Sequence, residues 1–157
     1  MKNGTWKRYA LWIGLSEGVG ALSGWLSREG MKAYETSVVQ PPLSPPQWVF
    51  PLVWGILFAL MGIGAARVSL ASPSDARSRG LNLFVIQLAV NFLWSPLFFN
   101  LQAYGLALLW LLLLWGLVLG MILAFRKADP IAARLQIPYL IWLTFAAYLN
   151  WGVWKLN

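Results

Sequence analysis

Residues 105–125 read GLALLWLLLLWGLVLGMILAF, a run of 21 residues without one charged side chain. A helix that crosses the hydrocarbon core of a bilayer needs about 20 mostly apolar residues. The run therefore predicts a membrane-spanning α-helix, and its length is the standard against which the rest of the chain is compared.

Four more apolar segments of similar length flank this run, at residues 9–26, 48–70, 81–101 and 135–154. Of all 157 residues, 59% are hydrophobic and 11% are charged, whereas a soluble domain carries about 25% charged residues. So few charges cannot coat a soluble globule of this size. We therefore predict an all-α integral membrane protein, a single domain over 1–157 that forms a bundle of five transmembrane helices.

The positive residues predict an orientation, because cytoplasmic loops of membrane proteins are enriched in Lys and Arg. If the polar stretches alternate between the two sides, nine of the twelve positive residues fall on one side. These nine are Lys2, Lys7, Arg8, Arg67, Arg77, Arg79, Arg126, Lys127 and Arg134, and the other side keeps Arg28, Lys32 and Lys155. We predict that the N-terminus lies inside and the C-terminus outside.

The net charge of +7 has the same origin, since its residues sit in short clusters between apolar segments. Such clusters are typical of membrane topology and do not form the basic face of a nucleic-acid-binding domain. We expect a lipid bilayer and no nucleic acid as partner, and we expect a multi-pass protein of a cell membrane, namely a bacterial inner membrane.

The connection at residues 27–47 is long for a link between packed helices, and it contains Pro41, Pro42, Pro45 and Pro46. Prolines fix φ and stiffen the chain at low entropic cost. A stiff, partly apolar loop over a helix bundle is consistent with a lid over a pocket, and equally with a rigid spacer.

The chain has no Cys and no His, which excludes disulfides, the usual zinc sites and haem ligation by these residues. We expect no metal site. Of the five carboxylates, only Glu17 falls inside a predicted span, where a charge is expensive. Glu17 is consistent with a proton- or cation-coupling group or with a neutral acid that faces another helix.

The third apolar segment carries Gln87, Asn91, Trp94 and Phe98 at spacings of four, three and four residues, with Ser95 beside them. This spacing puts the four side chains on one face of a helix. Amides that face lipid are costly, so we expect this face to point inward. It is consistent with hydrogen bonding between helices, or with the wall of a ligand pocket.

Aromatic residues recur at helical spacing in two other segments. Trp54 and Phe58 lie four residues apart in the second segment, and Trp142, Ala146 and Asn150 follow the same spacing in the fifth. A tryptophan deep in the membrane with a small residue one turn away leaves room for a flat ligand. Core packing is the commoner role of such a stripe.

Three stretches together resemble the translocator protein family (TspO/MBR), also called tryptophan-rich sensory proteins or peripheral-type benzodiazepine receptors. They are PPQWVFPLVWG at 45–55, QLAVNFLWSPLFF at 87–99, and PYLIW at 138–142 followed by LNW at 149–151. The resemblance covers nearly the whole chain. It departs from the family pattern at Leu43, and at Tyr34-Glu35, where the family's first loop often has tryptophan and Trp-Tyr respectively.

The resemblance implies a five-helix membrane bundle, often a homodimer, with a pocket that the first loop closes. Family ligands include porphyrins such as protoporphyrin IX, sterols in some members, and synthetic isoquinoline carboxamides and benzodiazepines. Some bacterial members degrade protoporphyrin in light with two pocket tryptophans, which match Trp54 and Trp142 here. The other matching pocket positions are Pro45, Phe58, Ser95, Phe98, Gln102 and Ala146.

We therefore expect an intramembrane pocket for protoporphyrin IX or a related tetrapyrrole, with Gln87, Asn91 and Trp94 in its wall. No covalently bound cofactor is expected, and without His or Cys a metal-free porphyrin suits the chain best. The protein would act in tetrapyrrole sensing, transport or light-dependent degradation, which leaves open whether it is an enzyme. Two alternatives are a proton-coupled small transporter that uses Glu17 and a sterol- or lipid-binding scaffold without turnover.

The predicted orientation is tested by reporters fused to the two termini. A reporter active only in the cytoplasm should work at the N-terminus, and one active only outside should work at the C-terminus, because an odd number of spans separates them. Two termini on the same side would contradict both the orientation and the count of five spans.

Overall fold

A computed structural model describes residues 3–157, and this part of the chain is helical throughout apart from short connections. Lys2, one of the nine positive residues in the predicted orientation, lies outside the described residues. The helices are α1 (Asn3–Leu26), α2 (Arg28–Ser37), α3 (Val49–Ser69), α4 (Asp75–Ser95), a π-helical turn (Pro96–Asn100), α5 (Tyr104–Ala128), α6 (Pro130–Leu135) and α7 (Ile137–Leu156).

Polar residues begin two of these helices. The Ser74 side chain accepts a hydrogen bond from the Arg77 backbone N–H at 3.1 Å and caps α4. Asp129 caps α6, accepting from the backbone N–H groups of Ile131 at 3.0 Å and Ala132 at 3.2 Å. A side chain that satisfies the free amides of a first helical turn stabilises the helix by about 1 kcal/mol. Both caps lie where the chain turns from one helix to the next.

Pro96, which lies deep in the third apolar segment, changes the helix at the end of α4. Proline has no amide hydrogen and its ring clashes with the preceding turn. The hydrogen bonds widen to the π pattern, in which Leu101 N–H donates to the Pro96 carbonyl at 3.0 Å. Phe98 and Phe99, on this wider turn, both face the lid.

The connection at 27–47 differs from the single stiff loop that the sequence predicted. Its first part is the helix α2, in which Glu29 pairs with Lys32 at 3.7 Å one turn later. The prolines begin only at residue 41, so they shape the second part alone. The lid is therefore a short helix followed by an extended segment.

The second part of the lid is held against α7. The side-chain amide of Asn157 accepts from Val39 N–H at 3.0 Å and donates to the Val39 carbonyl at 2.8 Å. The Tyr148 hydroxyl donates to the Pro42 carbonyl at 2.8 Å. These bonds connect the extended segment to both the middle and the end of α7.

The long helices pack mainly in sequence-adjacent pairs: α1 on α3, α4 on α5, and α5 on α7. The helices α1 and α3 approach each other closely at Gly62, where a Cβ would overlap the backbone of Ile13. Small residues at helix interfaces allow such contact in membrane bundles. Around it, the buried core includes Leu57, Met61, Phe84, Leu111, Leu114, Met121, Phe125 and Leu143.

Three helical stretches are long and apolar enough to cross a membrane: Val49–Ser69, Asp75–Asn100 and Tyr104–Ala128. The sequence predicted five spans, and the two outermost helices are the ones that fall short in apolarity. Both are long, with 24 residues in α1 and 20 in α7. Their apolar stretches are interrupted by residues such as Ser16, Glu17 and Asn150.

The α1–α3 contact generates a stability prediction. Gly62→Ala should destabilise the protein by about 1–3 kcal/mol, the usual cost of overpacking, which lowers Tm by about 2–12 °C for a chain of this size. The measurement is thermal unfolding in detergent. Gly116→Ala on α5 is the matched control, because no atom lies within 4 Å of its added Cβ. Equal Tm values for the two variants would contradict the packing described here.

Candidate functional site

A cavity of about 570 Å³ lies between α1, the lid, α3, the end of α4 with its π-helical turn, and α7. Its volume falls within the range of about 300–1,000 Å³ that small-molecule pockets occupy. Its lining is mostly apolar and aromatic, with a few polar side chains. It is therefore of the right size and character for a flat hydrophobic ligand.

One wall is formed by α4 and the π-helical turn. Trp94 and Phe98 stack with their ring centroids 5.0 Å apart and an interplanar angle of 24°. The four-residue spacing places the two rings one above the other along the helix. Asn91 and Ser95 line the cavity beside them. The face that the sequence predicted to point inward does so.

A second wall is formed by α3. Trp54 and Phe58 pair at 5.6 Å with a tilt of 32°, and Phe50 and Pro51 extend the wall toward the lid. Trp54 also meets the ring of Tyr139 edge to face at 6.2 Å. The cavity thus has an aromatic pair on each of two sides.

Below the cavity, Tyr139 joins two buried amides. Its hydroxyl donates to Gln87 Oε1 at 2.7 Å and accepts from Asn91 Nδ2 at 2.7 Å. Gln87 Nε2 in turn points at the sulfur of Met61 at 3.8 Å. Gln87 is fully buried and Tyr139 is 1% exposed. This network ties α4 to α7 and supports Asn91, the one of its two amides that lines the cavity.

Asn150 makes a second link between helices. Its Oδ1 accepts from the Trp94 indole N–H at 3.1 Å, and its Nδ2 donates to the Tyr104 carbonyl at 2.9 Å. The orientation of the Trp94 ring is therefore fixed by α7. Asn150 also lines the cavity.

The lid helix α2 contributes Met31, Tyr34 and Glu35 to the cavity. Tyr34 packs against Phe98 at 5.5 Å and Phe99 at 5.3 Å. Burial, and secondarily the neighbouring Tyr104, raise the pKa of Tyr34 to about 12. Its hydroxyl therefore stays neutral at physiological pH and can act as a hydrogen-bond donor to a ligand.

The structure brings together seven of the eleven residues that the sequence assigned to a pocket. These seven line the cavity: Trp54, Phe58, Asn91, Trp94, Ser95, Phe98 and Ala146. The other four, Pro45, Gln87, Gln102 and Trp142, lie outside its lining. For all eleven, contact with a ligand stays a prediction.

Two of the four lie directly behind the cavity wall. Gln87 belongs to the network with Tyr139. Trp142 packs edge to face against Trp54 at 6.4 Å and Phe50 at 5.9 Å, two rings that line the cavity, whereas Trp142 does not. Its indole N–H is buried and has no acceptor among residues 3–157.

The other two are displaced by the path of the backbone. The segment that holds Pro45 follows α7, turning at Leu43 with φ of 71°, and the chain reaches the cavity only at Gln47. Gln102 has φ of 51° and lines a separate surface hollow at the start of α5.

Several lining residues were not assigned to the pocket from sequence: Glu17, Gly20, Met31, Tyr34, Glu35, Phe50 and Asn150 among them. Asn150 had a signal, since it follows Ala146 at helical spacing. Tyr34 and Glu35 are the pair where the chain departs from the family pattern. Glu17 stood out as the one acid within a predicted span.

The structure combines helices able to cross a membrane with a lidded aromatic cavity. These two features define a helical membrane protein with a pocket for a small molecule. Comparison with known proteins specifies this class further. The sequence pattern of the TspO/MBR family matches residues 12–155. The chain belongs to the TspO/MBR family of membrane proteins.

Individual relatives agree with this membership. The chain is 38% identical to the tryptophan-rich protein TspO of Chlorobaculum tepidum over 149 residues, which are 94% of each protein. It is 41% identical to protein CrtK of Rhodobacter capsulatus over 126 residues, 80% of this chain and 79% of that one. It is 38% identical to the human translocator protein over 137 residues, 86% of this chain and 80% of that one.

The network under the cavity yields a second stability prediction. Tyr139→Phe keeps the ring against Trp54 but leaves Gln87 and Asn91 without their shared partner. Unsatisfied buried groups cost about 1–3 kcal/mol each, so thermal unfolding should occur at a clearly lower temperature. Tyr148→Phe, which removes one hydroxyl at the lid, is the control and should cost less. A larger loss in the control would contradict the network's role.

Proposed function

We propose that this protein binds a tetrapyrrole such as protoporphyrin IX in the cavity, and acts in tetrapyrrole sensing, transport or light-dependent degradation. The observation that carries the proposal is the pair of aromatic walls, Trp54 with Phe58 and Trp94 with Phe98, on two sides of one cavity. Stacking on both sides is what a large flat ring needs.

The polar groups of the cavity are few, as in most ligand pockets. Asn91, Asn150 and Tyr34 offer hydrogen bonds from three directions: α4, α7 and the lid. Asn91 and Asn150 are already oriented by partners outside the cavity. Groups that are fixed before the ligand arrives lose little entropy on binding, which supports recognition of a rigid ligand.

The chemistry of the chain favours a metal-free ring. Its sequence contains no His or Cys, the residues that most often ligate the metal of a bound tetrapyrrole. If the protein degrades porphyrin in light, as the family resemblance implies, Trp54 and Trp142 are the proposed participants. Trp54 would touch the ring, and Trp142 would act through Trp54, against which it packs.

The proposal includes five spans, with α1 and α7 as the outer two. At about 1.5 Å per residue, 20 residues of α7 reach about 30 Å, the thickness of the hydrocarbon core. The polar residues that lower their apolarity face inward, since Ser16 is fully buried and Asn150 is 1% exposed. Polar groups hidden from lipid are compatible with a membrane-spanning helix.

Contacts at the two ends of the bundle support the predicted orientation. Arg8 and Arg77 both donate to the Ser69 carbonyl, at 3.0 and 2.9 Å, which gathers predicted inside residues at one end. At the other end, Val39 of the lid meets Asn157. We propose that the protein lies in a bacterial inner membrane with its N-terminus on the inner side. We also propose that it forms a homodimer, as the resemblance implies.

Two other functions remain as alternatives. A proton-coupled transporter is favoured by one observation, that Glu17 lines the cavity, and it requires efflux driven by a pH gradient that Glu17→Gln abolishes. A sterol- or lipid-binding scaffold requires that a sterol compete with porphyrin and that no turnover occur in light.

The proposed function predicts how tryptophan variants bind protoporphyrin IX. Trp54→Leu should weaken binding about tenfold, because an aromatic pair contributes about 0.5–1.5 kcal/mol beyond its buried area and 1.4 kcal/mol is about tenfold. Trp142→Phe should change the affinity in the dark less than about twofold, since it lies behind the wall. Titration followed by porphyrin absorbance and tryptophan quenching measures both.

Trp151→Leu is the control, because this tryptophan is 48% exposed on the outside of α7 and should leave affinity unchanged. The same samples under illumination separate the possible activities by whether the Soret band shifts or is lost. Equal affinities for the wild-type protein, Trp54→Leu and Trp151→Leu would reject this cavity as the porphyrin site.

A further inference from the structure

The charge of the cavity is opposite to that of the chain as a whole. The chain carries a net charge of +7, yet none of the eleven Lys and Arg within residues 3–157 lines the cavity, whereas Glu17 and Glu35 do. Protoporphyrin IX carries two carboxylates of its own. A cavity that holds acids and no cation repels these groups wherever they approach closely.

Of the two acids, Glu17 lies in the middle of the long helix α1, whereas Glu35 belongs to the lid and is exposed. The residues that follow it along the cavity wall are small: Gly20, Ala21 and Gly24. The Phe58 ring packs directly on Gly20. Gly20 follows Glu17 by one helical turn, so the Phe58 ring packs on α1 about one turn away from Glu17.

The Glu17 carboxylate has no ion-pair partner among residues 3–157. Ion pairs within residues 3–157 join Glu29 to Lys32 and Arg28, and Asp129 to Arg67, and none includes Glu17. A carboxylate in apolar surroundings is costly without a partner. A cationic group of a ligand would supply one, and the faces of Trp54 and Phe58 would add cation–π attraction.

We infer that Glu17 determines the charge specificity of the cavity, so that it prefers neutral or cationic flat aromatic ligands over anionic ones. A dianionic tetrapyrrole binds with its carboxylates directed away from α1, and an aromatic amine or ammonium compound is the better-matched ligand class. The inference rests on the proposed function, since it concerns the same cavity, but it makes a separate claim about charge.

The test uses one macrocycle in three charge states: protoporphyrin IX, its dimethyl ester, and its bis-amide with two quaternary ammonium groups. The wild-type protein should bind the ammonium derivative and the ester more tightly than the free acid. Glu17→Gln should tighten binding of the free acid about fivefold, weaken that of the ammonium derivative about tenfold, and leave the ester within about twofold. For each ligand, the affinity of the variant is divided by that of the wild-type protein in the same detergent. This ratio cancels differences between the ligands in how they partition into the detergent.

Three further variants sharpen the result. Glu29→Gln, on the outer side of the lid helix with its side chain 75% exposed, should leave all three affinities unchanged. Glu35→Gln should have a smaller effect than Glu17→Gln, because solvent screens an exposed charge. Glu17→Asp keeps the charge and should keep the wild-type order of the three ligands, which also covers the case of a Gln variant that does not fold.

Two failures are distinguishable. If none of the three ligands binds the wild-type protein, the proposed function is wrong, and the inference with it. If all three bind, but the free acid binds most tightly or Glu17→Gln leaves the ratios unchanged, the proposed function stands and the charge specificity of Glu17 is overturned.

Discussion

The cavity depends on how three buried polar side chains, Gln87, Asn91 and Tyr139, satisfy one another's hydrogen bonds. Gln87, Asn91 and Tyr139 would each be costly in an apolar interior, yet the Tyr139 hydroxyl serves both amides at 2.7 Å. This arrangement holds only if α4 and α7 keep one register relative to each other. With that register fixed, Asn150 reaches Trp94, and the aromatic walls take up their positions. The hydrogen-bond network is thus the structural base of the site.

Much of this could be predicted from sequence, and the failures have identifiable causes. Helical spacing correctly turned one face of α4 inward. From Gln87 to Phe98 that face extends about 16 Å at about 1.5 Å per residue, so one end enters the network while the other lines the cavity. Spacing also placed Trp142 on the correct helix. It did not reveal that Trp142 packs against the rings of Trp54 and Phe50, which line the cavity in its place.

Other features depend on tertiary contacts that periodicity does not reveal. Pro45 and Gln102 are positioned by left-handed backbone at Leu43 and Gln102 itself. The helix α2 lies in the connection between two apolar segments where the sequence predicted a stiff loop, and its contact through Tyr34 with the π-helical turn depends on tertiary packing. Membership of the TspO/MBR family extends over residues 12–155. Within that frame, an acid on α1 lines an aromatic cavity, which hydrophobicity and spacing alone did not indicate.

The central claim is that a flat tetrapyrrole occupies the space between the two aromatic walls. A structure of the protein with protoporphyrin IX, determined in a lipidic mesophase, tests it most directly. The account predicts macrocycle density between Trp54 with Phe58 and Trp94 with Phe98, closed by Tyr34 and with both carboxylates remote from Glu17. An empty cavity with porphyrin bound on the outer surface of the helices would contradict it.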